Sequence, residues 1–427
     1  MNVLVIGNGG REHAICWKLK HSKEVERIFC APGNAGTAII GTNVNIKATD
    51  INALMQFVRK EQIDLTVVGP EGPLAEGLVD AFVAEGLRVF GPTQAAAQLE
   101  TSKAFAKDFM KRHHIPTAAY EVFHAGDSAR LRSCLESTRY PVVLKADGLA
   151  AGKGVIIAQT FNEALRSGES MLEGSSFGDA GTTLVVEEFL EGIEASVFAL
   201  TDGTRFVTLA PAQDHKRILD NDLGKNTGGM GAFAPTPHVP TEVLADVKIH
   251  VIKRVIDGMR ADGIPYSGVL FVGLMLTDEG PKVLEFNCRF GDPETQVVLP
   301  LIDYDLGVLL RDIADGKLQL NRLPMHDANA VCVVMASNGY PDAYDTGKTI
   351  AGLDSIDEEK EGVLVFHAGT RTEGGRIVSA GGRVLGVTAL AQGSDIAASI
   401  RLAYSAVNRI RFDGAYYRTD IGRKALL

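Results

Sequence analysis

The sequence predicts α/β and α+β units in series: a doubly wound parallel sheet at the N-terminus, an α+β core with a smaller lid-like subdomain, and a small C-terminal α+β domain. Three observations predict it. Short apolar strands alternate with amphipathic helices up to about residue 100, the texture changes to longer strands after IPTAAY, and 427 residues exceed what one core holds. The divisions fall at 1–103, at 104–325 with 118–192 as the smaller subdomain, and at 326–427.

In the first region VLVIG, RIFCAP, DLTVVGP and RVFGP read as strands that run into Gly or Pro turns. Between them Ile51, Leu54, Phe57 and Val58 recur at helical spacing behind a candidate N-cap at Thr49 or Asp50; Leu78, Val79, Phe82 and Val83 do the same. Such alternation gives a parallel sheet whose ligand site lies beyond the carboxyl ends of its strands. Residues 118–192 read as strand, helix, hairpin (142–158), helix and strand (TTLVVEEFL). From 194 to 325, EASVFALT, TRFVTLAP, YSGVLFVGLMLT and PKVLEFNC predict an antiparallel-rich sheet backed by a long helix near 243–261. The last hundred residues hold strands ANAVCVVMAS, GVLVFHAGT and GGRVLGVTAL and a helix from about 394 to 410, with DSIDEEKEG expected as a solvated loop. No internal repeat, low-complexity stretch or long linker intervenes, so the domains are expected to pack around shared clefts.

Composition excludes several classes. A net charge of −10 argues against nucleic-acid or anionic-membrane binding, while leaving room for a local basic pocket. Five scattered cysteines without C-x-x-C spacing point to reduced thiols rather than a disulfide framework or zinc site. No apolar run approaches the roughly 18 residues of a membrane span, and the N-terminus enters a strand directly. A cytoplasmic, soluble monomer is expected.

Residues 142–158 read VVLKADGLAAGKGVIIA. Glycines let backbone N–H groups approach an anion and the lysines neutralise it, so a polyphosphate is the first reading. It is not a P-loop: Gly148 to Gly152 is one residue short, Gly154 replaces the hydroxyl residue, and VIIAQT favours strand over helix. Alone, it also reads as an ordinary flexible hairpin.

GNGGREH at 7–13 follows a strand and opens a helix, but Glu12 stands at the third fingerprint glycine and APGNAG supplies no acid for a ribose. NAD is disfavoured. What survives is an anion site made of helix-start amides and Arg11, or a tight turn with a surface arginine. VVEEFLEGIEAS at 185–196 groups carboxylates near a strand end, where backbone can bond a base and Glu194 ribose hydroxyls. In KVLEFNCRFGDPETQ at 282–296 the period of two puts Glu285 and Asn287 on one face, two hard oxygens suited to magnesium. Arg289 extends that face toward a carboxylate or a transferring phosphate, whereas Cys288 points to the core. QDHKR at 213–217 and KNTGGMGAF at 225–233 add a charged strand end and a glycine loop, able to enclose a charged reactant.

The order VVLKADGLAAGKGV, VVEEFLEGIEAS, QDHKR, NTGGMG, LEFNCRFGDPETQ resembles the ATP-grasp superfamily. With NGGREH and APGNAGT at the front, the chain resembles the phosphoribosylamine–glycine ligase family along its length. The resemblance implies an ATP-grasp core in the middle region and ATP as co-substrate with Mg²⁺ or Mn²⁺. It also implies glycine activation as glycyl phosphate, and attack on it by 5-phosphoribosylamine in purine biosynthesis. It assigns Lys107, Lys145, Gly148, Gly152, Lys153 and Gly154 to ATP phosphates; Glu187, Glu188 and Leu190 to the adenine pocket; and Glu194 to the ribose. Glu285 and Asn287 match the metal ligands, although the acid many members carry about twelve residues upstream is absent from LFVGLM. Arg289, Asp214 and Lys216 are the expected catalytic residues, with Asp214, Arg289 and Asp292 toward glycine. Gly9, Gly10, Arg11 and Glu71 are expected to meet phosphoribosylamine.

A ligase of another acid and amine is the second reading. A nicotinamide-dependent dehydrogenase lacks its acidic ribose partner, and a non-catalytic ATP sensor leaves Glu285, Asn287, Arg289 and Asp214 without a task.

Overall fold

A computed structural model of the chain describes residues 1–148, 154–173 and 183–426. The first hundred residues form a five-stranded, wholly parallel sheet. Its centre is Asn2–Gly7, flanked by Arg27–Pro32 on one side and Leu65–Val68 on the other, with Thr42–Asn43 and Val89–Phe90 at the edges. The strand order therefore reverses beside Asn2–Gly7, and the loops after this strand and after Leu65–Val68 open at the same end. Alternate residues of the central strand serve two cores. Val3 and Val5 pack with Val298, Leu309 and Ile313, whereas Leu4 and Ile6 join Val197, Leu270 and Phe286, so both sheet faces are buried.

Asp50 caps the helix Ile51–Lys60 by accepting from the Ala53 amide, and Leu54 and Val58 of its apolar stripe are buried. In Leu78–Ala84 the stripe is narrower than its spacing predicts: Leu78, Val79 and Phe82 are buried, but Val83 faces solvent.

The smaller subdomain carries an antiparallel sheet in the order Tyr120–His124, Thr183–Glu188, Val142–Ala146, Val155–Ala158. Helices Ser128–Ser137 and Phe161–Leu172 close a separate core around Phe123, Leu135, Leu144 and Leu184. Three longer strands and one short edge strand form the second antiparallel sheet, in the order Phe206–Thr208, Ile193–Thr201, Gly268–Thr277 and Gly280–Asn287. The long helix behind it runs from Thr241 to Ala261, with a π-helical stretch at Lys248–Ile252.

The C-terminal sheet differs from expectation. Beside Ala328–Ser337, Arg383–Gln392 and Val363–His367 it takes in Gln213–Asp214 and Gly231–Ala234, the latter read from sequence as part of a flexible loop. Gly231 explains the misreading, because a Cβ there would lie 2.6 Å from the Cys332 carbonyl: the glycine marks close strand approach, not mobility. In DSIDEEKEG Asp354, Ser355, Asp357, Glu358 and Lys360 are exposed as expected and Ile356, Glu361 and Gly362 half-buried, but Glu358–Glu361 is helical, capped by the Asp357 carboxylate on the Lys360 amide. All five cysteines are free, and among the described residues no helix is long and apolar enough to cross a membrane.

Candidate active site

A cleft of about 410 Å³ opens where the four sheets meet. Its walls come from the helix starts that follow strands of the parallel sheet (Arg11, Glu71), the smaller subdomain (Lys145, Gly148, Gly154, Glu187), the strand Gly280–Asn287 and the C-terminal sheet (Asp214, Arg383).

One end is apolar. Ala106 and Met110 on the helix Lys103–Arg112 face Val155, Leu284 and Phe286 across the gap between the two antiparallel sheets. Next to this slot stand Lys103, Lys107 and Lys145. Lys107 Nζ lies 2.7 Å from one Glu187 oxygen and donates to Thr117 Oγ1 at 2.8 Å; Lys145 Nζ lies 3.0 Å from the other and donates to the Leu284 carbonyl. Burial lowers the Lys107 pKa to about 8, against the opposing pull of Glu187. Lys103 donates to the Gly148 carbonyl at 2.9 Å and so ties its helix to the start of the glycine-rich loop. Of that loop, Gly148 and Gly154 line the cleft, while Gly152 and Lys153 lie outside the described residues.

Glu285 and Asn287 share the cleft face of their strand, as the period of two predicts. Glu285 is exposed and makes no ion pair or side-chain hydrogen bond among the described residues; the Asn287 amide nitrogen donates to the Phe286 carbonyl. Across the ladder Glu285 faces Gly273, the position from which a second acid would reach it. These donors fit a hard divalent cation that takes most of its ligands from water and substrate oxygens. They do not fit an all-protein metal centre, and among the described residues no group of three acidic, His or Cys side chains could form one. Charge balance supports the same fit: seven cationic side chains in the cleft wall meet seven carboxylates, so a polyphosphate needs further positive charge.

Arg289 is clamped between two carboxylates, with Nε 3.2 Å from Glu71 and Nη2 2.9 Å from Glu100. Burial pushes the Glu100 carboxyl above its usual range, whereas Arg289 and Arg11 outweigh burial at Glu71 and hold it below. On the facing wall Lys216 Nζ pairs with Glu194 at 2.6 Å. Burial opposes the Lys216 charge, yet Glu194, Asp214 and Glu285 hold it well above the ordinary lysine value. Among the described residues Asp214 has no ion pair of its own; burial raises its pKa, with Lys216 opposing. Glu294, buried at 5% exposure, completes this acidic corner.

The helix start after Gly7 is already filled with acid. The Gly9 amide donates to Glu12 at 2.6 Å and the Arg11 amide to Asp292 at 3.2 Å. Gly9 is therefore not the free anion donor that the motif implies, and neither it nor Gly10 lines the cleft; Arg11 does. Asp292 is likewise a joint, since its second oxygen accepts from Gln296 at 2.8 Å and Arg383 stands 3.6 Å away. Burial would raise its pKa, but Arg383 and Arg11 hold it down.

Of the other residues expected at the site, Glu188 turns to the Ala119 amide, Leu190 is buried, and Glu194 reaches the cleft only through Lys216. Sequence reasoning missed Glu100, Lys103, Met110 and Arg383, which lie on distant helices or on a strand with no motif around them; Glu294 lay within RFGDPETQ without a task.

Family models match along the chain: the phosphoribosylglycinamide synthetase N domain over residues 1–100, its ATP-grasp (A) domain over 101–295 and its C domain over 330–424. A phosphoribosylamine–glycine ligase of Chlorobaculum tepidum is 53% identical over the whole of both chains. The crystal structure of the Thermotoga maritima phosphoribosylamine–glycine ligase superposes with a TM-score of 0.83 at 34% identity, covering 98% of this chain and 100% of that one. At 17% identity, the biotin carboxylase domain of the Hydrogenobacter thermophilus 2-oxoglutarate carboxylase, solved with MgADP, shares the fold (TM-score 0.73), covering 97% of this chain and 91% of that one. The chain belongs to the phosphoribosylamine–glycine ligase family, ATP-grasp ligases that form glycinamide ribonucleotide in purine biosynthesis.

Proposed function

We propose that this cleft joins glycine to 5-phosphoribosylamine through glycyl phosphate, with ATP as phosphoryl donor. One observation carries the assignment. The lysine trio, the Glu285–Asn287 pair, the clamped Arg289 and the helix-start residues Arg11 and Glu71 all line a single cleft, so donor, acceptor and amine can meet without a protein nucleophile.

Adenine enters the apolar slot beside Met110 and Phe286, and Lys107 and Lys145 meet the phosphates, exchanging part of their contact with Glu187 for the nucleotide. Gly148 and Gly154, the described ends of the glycine-rich stretch, flank the phosphates. Mg²⁺, or Mn²⁺, held by Glu285 and Asn287 would neutralise charge on the phosphate oxygens. Arg289 aligns the glycine carboxylate or the phosphoryl group, Asp214 accepts from the glycine ammonium, and Lys216 favours the charged form of Asp214 against burial. Arg11 and Glu71 face phosphoribosylamine. A carboxylate is a poor acyl donor; phosphorylation gives it a leaving group in a site that excludes water.

Glycine carrying ¹⁸O in its carboxylate should deliver one labelled oxygen to the phosphate released in turnover. If the label stays in the amide and residual glycine, the acyl-phosphate route is wrong.

A further inference from the structure

The ligation leaves one chemical task unassigned: the attacking amine must lose a proton. We infer that Glu294 is the general base that takes it as the nitrogen attacks glycyl phosphate. This rests on the reading of the cleft above and adds a catalytic residue to it.

Glu294, Asp214 and Glu285 differ from the other acids of the cleft in having no ion pair among the described residues, and of these three Glu294 alone has no task in the reading above, Glu285 going to the metal and Asp214 to glycine. Glu71 and Glu100 hold Arg289, Glu187 holds two lysines, and Asp292 stands 3.6 Å from Arg383. Among the described residues Glu294 has no cation within 4.0 Å; its carboxyl takes a long 3.4 Å contact from the Ser196 hydroxyl and is otherwise held by its own backbone amide. The fold nevertheless makes room for it. A Cβ at Gly291 would lie 2.5 Å from Glu294 Oε2, so the carboxyl occupies the space a side chain would take.

Its place fits the task. Glu294 lies two residues past Phe290–Asp292, the segment that receives Arg11 of the phosphoribosyl-side helix start, and it borders Asp214, the carboxylate facing glycine. The base thus stands where the amine and the acyl carbon converge. Asp214 and Lys216 face it from one wall, Arg289 and Arg383 from the others, and Ser196 from below. Burial first, then the neighbouring Asp214 charge, raise its pKa to about 7, with Lys216 and Arg289 opposing; that value suits proton transfer near neutrality.

In the step, the amine lone pair forms the C–N bond and the C–O bond to phosphate breaks. Phosphate leaves with that electron pair, and the amine proton passes to the Glu294 carboxylate, which returns it to solvent after product release.

Two half-reactions test this. Hydroxylamine captures glycyl phosphate as the hydroxamate and reports on activation alone. Glu294→Gln should keep glycine-dependent ADP and hydroxamate formation within about threefold, yet slow transfer to phosphoribosylamine by roughly 100-fold or more. The rise of wild-type kcat with pH through about 7 should vanish in Glu294→Gln and persist in Glu294→Asp, which keeps a carboxyl and guards against a folding defect. The proposal fails if Glu294→Gln transfers normally, if both half-reactions fall together in a folded variant, or if the pH dependence survives. If the wild type makes no hydroxamate, the glycyl phosphate reading falls instead.

Discussion

The Lys107 ammonium lies 2.7 Å from Glu187, with both side chains buried at 2–3% exposure, and this pair sits where nucleotide phosphates are expected. The Lys107 pKa of about 8 is below its ordinary value, so the folded apoprotein gives up this proton more readily than the unfolded chain. A polyphosphate beside it favours the ammonium. Binding of ATP should therefore take up a proton once pH exceeds about 8, and nucleotide affinity should weaken as pH rises further. Lys107→Arg keeps its charge at every accessible pH and should flatten this dependence. Calorimetry at pH 8.5 in two buffers of different ionisation enthalpy reads the uptake; equal heats would exclude it.

Glu285→Ala should cost at least about 100-fold in kcat/KM, comparable to losing one electrostatic contact of roughly 2.7–4 kcal/mol in the transition state. Because Glu285 is exposed and makes no ion pair among the described residues, Tm should stay within a degree or two of wild type. The loss should lessen at high divalent cation concentration. Near-normal turnover at limiting Mg²⁺ would remove Glu285 from the metal site.

Arg11→Ala should raise KM for phosphoribosylamine far more than KM for ATP. Arg11 belongs to the parallel sheet's loop end, while the lysines flanking the apolar slot lie on the helix Lys103–Arg112 and the smaller subdomain's sheet. Its Nη1 already donates to the Phe290 carbonyl at 3.2 Å, so part of the effect will be on that segment; Arg11→Lys separates charge from geometry. Steady-state kinetics with each substrate varied is the measurement, and equal effects on both KM values would refute the division.

What the sequence made legible was contiguous. Glu285 and Asn287 could be paired because a strand's period of two needs no tertiary knowledge, and Arg11 and Glu71 because strand-end loops of a parallel sheet gather at one end. Residues whose task depends on distant packing gave no such signal. Glu100 is a helix carboxylate until Arg289 arrives from 189 residues later in the chain, and Lys103 resembles any surface lysine. The same gap explains Gly9 and Asp292: a motif shows that an amide and a carboxylate are present, but not that Glu12 and Asp292 satisfy the helix start themselves.

Arg383 is the clearest such case, and it supports the last prediction. From the strand Arg383–Gln392 its Nη1 donates to the Gly228 carbonyl at 2.5 Å and the Asp292 carbonyl at 2.6 Å, joining the glycine loop to the segment that carries Asp292 and Glu294. Burial works against its charge, but Asp292, Tyr340 and Glu294 together more than compensate. Removing it leaves the exposed Gly228 carbonyl and the part-buried Asp292 carbonyl without this donor, so Arg383→Ala should destabilise the fold by about 1.5–3 kcal/mol, the range for hydrogen bonds to a charged group. Activity should drop further than stability alone accounts for, because both segments line the cleft. Arg383→Lys should recover the charge but not the activity, since one ammonium cannot reproduce the planar fork. Urea unfolding beside kcat/KM for the two variants checks this, and full activity in a destabilised Arg383→Ala would show that the joint serves the fold alone.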